Sequence, residues 1–314
     1  MGKIIAAGAS SHAYAFDSID DWENRRKRTR GNYTKRYGTE PPENTKVDFE
    51  TIENNKIRFG EIENGIRTIQ QNFQDLKPDA IIIIGDDQDE NFNEENMPQF
   101  SIYLGESVNY YDSHKKIRGS QVCHSELAMN LLEKSVEQGF ELSYSKKLPG
   151  GELVSHAHAP LLNMIDPEGK IPVVLIFVNA IHVPGPNPAR CYQLGEILRS
   201  IIESRPGDER VAVYASGGLS HFTAGYPWPY YKGPHSVGSI CEEFDEKIVA
   251  LMRQGNGREL MELTSRDLLA NGEIEFRQWI ILMGMLGEAK PEFLHYHALY
   301  RALTGMAAGY WSLT

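Results

Sequence analysis

The chain has 314 residues, a formal net charge of −11 and a sequence pI near 5.4, with 41% hydrophobic and 24% charged residues. That is the composition of a globular protein able to bury a core without staples, and its acidity argues against nucleic acid as a general partner. No apolar stretch nears the roughly 20 residues that cross a membrane. The three cysteines, Cys123, Cys191 and Cys241, have neither metal-binding nor disulfide spacing, and Met1 to Ile5 carries no charged-then-apolar leader. The expectation is a cytoplasmic protein with no membrane partner.

In chain order, Lys3 to Ala7 reads as a strand leading to Ser11-His12. A polar stretch over about 17–50 follows, with a basic run from Arg25 to Arg30 that reads as a solvated face or a lid over a cleft. Ile52, Ile57, Phe59, Ile62, Ile66, Ile69 and Phe73 recur at helical spacing over 51–76. The run Ala80 to Ile84 is a strand ending in Gly85-Asp86-Asp87-Gln88, and residues 98–108 look like another. A helix is expected from Ser125 to Gly139, a strand from Phe140 to Tyr144, and a helix from Ala189 to Ser204 after a proline-rich loop. The run Val173 to Val178 is a strand leading to Asn179 and His182, and Val211 to Ala215 is one leading to Ser216-Gly217-Gly218-Leu219-Ser220-His221. Further helices are expected at 242–254, 257–269 and 275–286. Strands alternating with helices predict a single three-layer α/β domain over 1–314, with a central mostly parallel or mixed sheet, helices on both faces and the 17–50 stretch as an insertion.

Four apolar strands end in polar residues that bind metal or move protons. In open α/β sheets ligands bind outside the carboxyl ends of the strands, so these ends should share one cleft. Of ten histidines, His12, His156, His158, His182 and His221 occupy loops between strands; His114, His124, His235, His295 and His297 read as ordinary surface or core residues. A G-x-S-x-G elbow, a G-x-G-x-x-G after a strand and a G-x-x-x-x-G-K-[ST] loop are all missing, which sets aside the common hydrolase and nucleotide-binding devices. What remains is a mononuclear metal site of histidine and carboxylate with open positions. Glu275, on an otherwise apolar segment, is the best carboxylate, and Glu273 competes with it.

Seven segments fall in the order of a known family: Ser11-His12, Asp86 to Phe100, Ser155-His156 with Pro160-Leu161, Pro188 to Gly195, Ser216 to His221, Glu243-Phe244-Asp245, and Glu275 with Trp279. Together they resemble the class III extradiol ring-cleaving dioxygenases, the type represented by the catalytic subunit of protocatechuate 4,5-dioxygenase. The resemblance implies Fe(II) held by two histidines and a glutamate, matching His12 and Glu275. At the second histidine position this chain has Gln88, because Asp86-Asp87-Gln88 stands where the family has Asn-Asp-His. Gln88 offers a neutral, weaker oxygen donor, and Asp87, Glu90 or His158 are the substitutes within reach. The resemblance makes His221 the acid/base and His156 a second catalytic residue of the pocket. His158, His182, Tyr226 and Trp228 are candidates for the substrate wall, and Arg190 reads as structural. The implied substrates are O2 and a catechol-like or aminophenol-like ring, in a homo-oligomer with or without a small partner subunit. Two alternatives stay open because of Gln88: a metal-dependent hydrolase or decarboxylase on the same fold, and a ligand-binding homologue without turnover.

Overall fold

The four isoleucine- and valine-rich runs become the middle of one eight-stranded sheet. The computed structural model describes residues 1–222 and 238–313. The strands are β1 (Lys3–Ser10), β2 (Ala80–Asp87), β3 (Phe100–Tyr103), β4 (Ser107–Asp112), β5 (Ile117–Val122), β6 (Ser143–Ser145), β7 (Val173–Asn179), β8 (Arg210–Ser216), β9 (Phe293–Leu299) and β10 (Thr304–Ser312). The sheet order is β6-β3-β7-β2-β8-β1-β10-β9, and β4 and β5 form a separate hairpin. At its centre β7, β2, β8 and β1 run parallel. At the flanks β3 is antiparallel to β7, and β10 is antiparallel to both β1 and β9. A strand buried on both faces needs no polar alternation, which is why these runs read as unbroken apolar stretches.

Helices cover both faces. Even-numbered Ile82 and Ile84 pack with α3 (Ser125–Glu137), α5 (Pro188–Ser204), α6 (Glu242–Gln254) and α8 (Arg277–Leu286). Odd-numbered Ile81 and Ile83 pack with α2 (Ile52–Leu76) and α4 (Ala159–Ile165). The three-layer α/β architecture expected from the alternation is therefore present. Helices α5 and α8 touch backbone to backbone: a Cβ on Gly195 would stand 2.0 Å from the Ile281 carbonyl oxygen. This contact fixes where α8 begins, and hence where the turn carrying Glu275 lies.

Several boundaries differ from expectation. The 98–108 strand is broken at Leu104-Gly105-Glu106 into β3 and β4. The 257–269 helix resolves into a 3-10 turn, Gly257–Glu262, and a short helix, α7 (Ser265–Asn271), that restarts with a Thr264–Asp267 capping box. Glu275 lies in the turn before α8 rather than in the helix. Within the 17–50 insertion the basic run forms α1 (Trp22–Tyr37), whose one buried residue is Trp22. Three of its arginines are tied down locally: Arg25 to Asp17, Arg26 and Arg30 to Glu43. Among the described residues no helix is long and apolar enough to cross a membrane.

Candidate metal centre

The side-chain alternation of β2 continues past its apolar part. Asp86 and Gln88 follow Ile82 and Ile84 onto the α8 face. Asp87 turns the other way and accepts the backbone N–H groups of Glu90, Asn91 and Phe92 at 3.2, 2.9 and 3.0 Å, so it shapes the loop. On the α8 side Asp86 is fully buried and receives Gln278 Nε2 at 3.0 Å. Beside it, β1 delivers His12 and β8 delivers Ser216 and the Gly-Gly loop.

Three imidazoles are each committed through Nδ1. The Ser216 hydroxyl donates to the Ala157 carbonyl at 2.6 Å, so its oxygen is free to accept His12 Nδ1–H at 3.3 Å. His156 Nδ1 donates to Glu90 Oε2 at 2.7 Å, and the other Glu90 oxygen takes the His156 backbone N–H at 3.0 Å. His221 Nδ1 donates to the Leu219 carbonyl at 2.8 Å. A nitrogen fixed in this way sets the tautomer and leaves Nε2 as the open donor, the arrangement found around metal-binding histidines.

The three Nε2 atoms converge. His12 Nε2 lies 3.1 Å from His156 Nε2 and 3.3 Å from Glu275 Oε2, and His221 Nε2 lies 3.1 Å from Glu275 Oε1. Two imidazole lone pairs facing each other at that distance repel unless a proton or a cation stands between them. Ligand atoms of His12, Asp86 and His156 all lie within 4.8 Å of one another. Imidazole nitrogens beside buried carboxylates are the donor set of a first-row divalent cation, so the residues present fit the Fe(II) that the sequence resemblance implies.

The electrostatics say the same. Burial opposes charge on His156, but the Glu90 carboxylate outweighs it and holds the imidazole up at about 10. His221 is likewise held up at about 9, burial being overcome by Glu275. Glu275 resists burial because His221 and His12 hold its carboxyl well below the usual range. Burial, and then the Glu275 charge, raise Asp86. A pocket that keeps protons on two imidazoles above neutrality has the negative field that a divalent cation would neutralise.

The turn carrying Glu275 is built against glycine. Gly217, at φ +136°, has Glu275 Cβ 3.0 Å from where its own Cβ would be, so a side chain would collide with the carboxylate arm. Gly218 N–H donates to Glu275 Oε2 at 3.0 Å, and Trp279 Nε1 donates to the Gly217 carbonyl at 2.8 Å.

Of the residues singled out in the sequence, His12, Gln88, His156, His221 and Glu275 come together. Gln88 arrives with its nitrogen forward: Nε2 donates to Glu275 Oε1 at 2.7 Å and Asp86 Oδ2 at 2.9 Å. It therefore bridges the two carboxylates, and its carbonyl oxygen, the atom expected to ligate, is the one turned away from them. His158 does not line a substrate wall. It is fully buried between Ser155 Oγ at 2.9 Å and the Ile176 carbonyl at 3.2 Å, and burial lowers it to about 4. His182 bonds Asp89 at 2.5 Å, outside the cluster. Tyr226 and Trp228 lie outside the described residues. Glu273 is buried facing Asp245, not the cluster, and burial followed by that neighbouring charge raises its carboxyl far above the usual range. Arg190 stacks on Phe140, its guanidinium carbon 3.8 Å from the ring centroid. Asp86 and Ser216 were not marked as site residues in the sequence; the even-number alternation of β2 was the available signal for Asp86.

The family model described as the catalytic LigB subunit of aromatic ring-opening dioxygenase matches residues 48–310. The chain belongs to that family, within the class III extradiol dioxygenases. The matched part starts after His12 and α1. Gallate dioxygenase of Pseudomonas putida is 27% identical over 190 residues, 59% of this chain and 52% of that protein. A 2,3-dihydroxyphenylpropionate/2,3-dihydroxicinnamic acid 1,2-dioxygenase of Comamonas testosteroni is 29% identical over 194 residues, 60% of this chain and 58% of that one. The alignments thus span little more than half the length of these two relatives. A similarly named Klebsiella pneumoniae protein aligns over 79% of this chain and 89% of its own, at 21% identity.

Proposed function

We propose that this LigB-family protein is an Fe(II)-dependent extradiol dioxygenase that opens a catechol-like or aminophenol-like ring with O2, breaking the bond beside the two adjacent polar substituents. The observation that carries this reading is that His12 Nε2 meets both His156 Nε2 and Glu275, with Asp86 in reach of the two imidazoles and His221 Nε2 on the other Glu275 oxygen. His12, His156 and Glu275 would hold the cation, with Asp86 as a further carboxylate in reach. The bound ion would supply Lewis acidity toward the substrate hydroxyls and neighbouring positions for ring and dioxygen.

The remaining residues have protein-borne roles. His221 presents a single open nitrogen, Nε2, because Nδ1 is held by the Leu219 carbonyl. With the Glu275 field that keeps His221 protonated offset by a bound cation, Nε2 would be free to take a proton from the substrate hydroxyl and return it as the ring opens. Gln88 keeps Asp86 and Glu275 from repelling each other and fixes both carboxylate planes. Ser216 and Glu90 set the tautomers of His12 and His156.

The test is an oxygen-electrode screen of Fe(II)-loaded protein, prepared without air, against catechols, gallate-like acids and aminophenols. Oxygen uptake at one O2 per ring opened, with an open-chain semialdehyde-type acid as product, supports the reading. A second reading draws on the glutamine at position 88, where the family has its second ligand histidine: a metal-dependent hydrolase or decarboxylase on the same centre. It predicts metal-dependent turnover with no oxygen uptake, and a ligand-binding homologue predicts neither.

A further inference from the structure

Asp245 lies in the first turn of α6, fully buried, and the centre described above makes no use of it. Among the described residues no cation forms an ion pair with it, and a carboxylate buried in that way is costly unless hydrogen bonds replace the lost water. Three donors do so. Ser220 gives its backbone N–H to Oδ1 at 3.2 Å and its hydroxyl to Oδ2 at 2.7 Å, and the Tyr296 hydroxyl of β9 reaches Oδ2 at 2.6 Å.

Two of those bonds fall on the residue before His221. The Ser220 hydroxyl oxygen also accepts the Cys241 N–H at 2.8 Å, so one side chain ties the loop after β8 to the start of α6. From the other side Gly305 of β10 brackets the same loop: its carbonyl accepts Leu219 N–H and its N–H donates to the Ser220 carbonyl, each at 2.9 Å. A Cβ on Gly305 would stand 2.3 Å from Asp245 Oδ2, so the carboxylate lies directly against the β10 backbone. The Nδ1 anchor of the His221 ring is the Leu219 carbonyl, which belongs to this loop as well. Where the loop goes, Nε2 goes with it.

We propose that Asp245 is a positioning residue for His221: acting through Ser220, it holds the loop so that His221 Nε2 stays 3.1 Å from Glu275 Oε1. The consequence for turnover rests on the reading of His221 as the acid/base; the clamp itself does not. Displacing a catalytic group by about 1 Å costs up to about 10²-fold in rate. Asp245→Asn is a direct perturbation, because either orientation of the amide turns its NH2 toward a donor, at the Ser220 N–H or at the two hydroxyls.

Asp245→Asn and Ser220→Ala, each as full-length protein, are compared with Ile248→Val, which thins the packing of α6 one turn further on and removes no hydrogen bond. In crystals grown alongside the parent's, both clamp variants should show the His221 ring displaced by about 1 Å or more, and Ile248→Val should show it in place. With a ring that the parent opens, both clamp variants should lower kcat about 10–100-fold, retain metal and leave KM within about twofold. Ile248→Val should lose stability and keep kcat. His221 unmoved in either clamp variant, or a kcat loss in Ile248→Val as large as theirs, would overturn the clamp. Should Asp245→Asn fail to fold, Ser220→Ala, which removes a single hydroxyl, decides by the same readings. A parent that takes up no oxygen counts against ring opening alone, because the crystals still report whether Asp245 holds His221.

Discussion

Gln88→Glu replaces one nitrogen by oxygen at the point where two carboxylates meet. In the native protein the Gln88 amide donates to Glu275 Oε1 at 2.7 Å and to Asp86 Oδ2 at 2.9 Å. The variant loses both charge-assisted bonds, about 1.5–3 kcal/mol each, and gains a third carboxyl. That acid escapes repulsion by taking up a proton, and raising its pKa from about 4.3 to about 7 costs roughly 4 kcal/mol. The lost bonds sum to about 3–6 kcal/mol and protonation costs about 4 kcal/mol, so the metal-free destabilisation is at least about 3–4 kcal/mol at pH 7. For a chain of this size, at roughly 2 °C per kcal/mol, Tm should fall at least about 6–8 °C. A divalent cation reverses the sign, because the new carboxylate is an added ligand that binds only the folded state. Differential scanning fluorimetry in EDTA and in Mn2+ reads both halves. The variant should melt lower than the parent in EDTA and gain more from Mn2+. Equal melting in EDTA, or equal metal-induced shifts, would refute the carboxylate-bridging role.

His221→Ala should retain metal while turnover falls by roughly 10²–10⁴-fold; metal analysis showing loss of the ion would make His221 a ligand instead. Ser216→Ala removes the acceptor that fixes the His12 tautomer, and Mn2+ affinity by titration calorimetry should fall about 10–100-fold. His158 is held at about 4 in the fold, below its ordinary value of about 6.5. The unfolded chain therefore takes the proton first, and stability is full above about pH 6.5 and declines as pH falls toward 4, by roughly 3 kcal/mol in total. Urea denaturation at pH 7 and pH 4.5 should show that decline reduced in His158→Asn relative to the parent, and parallel pH slopes would contradict it.

Much of the sheet was legible because a strand buried on both faces writes itself as an unbroken apolar run, as in Ile81 to Ile84 and Val173 to Val178. The polar ends of those runs located the cleft, since parallel strands bring their carboxyl ends to one side. Roles within the cleft were less legible. His156 and His158 are two residues apart in one loop, and only packing tells them apart: one reaches His12 and the other is enclosed between Ser155 and Ile176. The sequence places a glutamine at position 88 but cannot say which end of its amide faces the carboxylates, because that depends on partners 2 and 187 residues away. Boundaries near glycine moved for local reasons. The turn before α8 keeps Glu275 out of the helix so that Gly217 and Gly218 can lie against it.

The account turns on His12, His156 and Glu275 sharing one cation. Crystals grown without air in Fe2+, with anomalous diffraction recorded at the iron edge, test this directly. A single peak within coordinating reach of His12 Nε2, His156 Nε2 and a Glu275 oxygen is the predicted result. A peak elsewhere, or none at saturating iron, contradicts it.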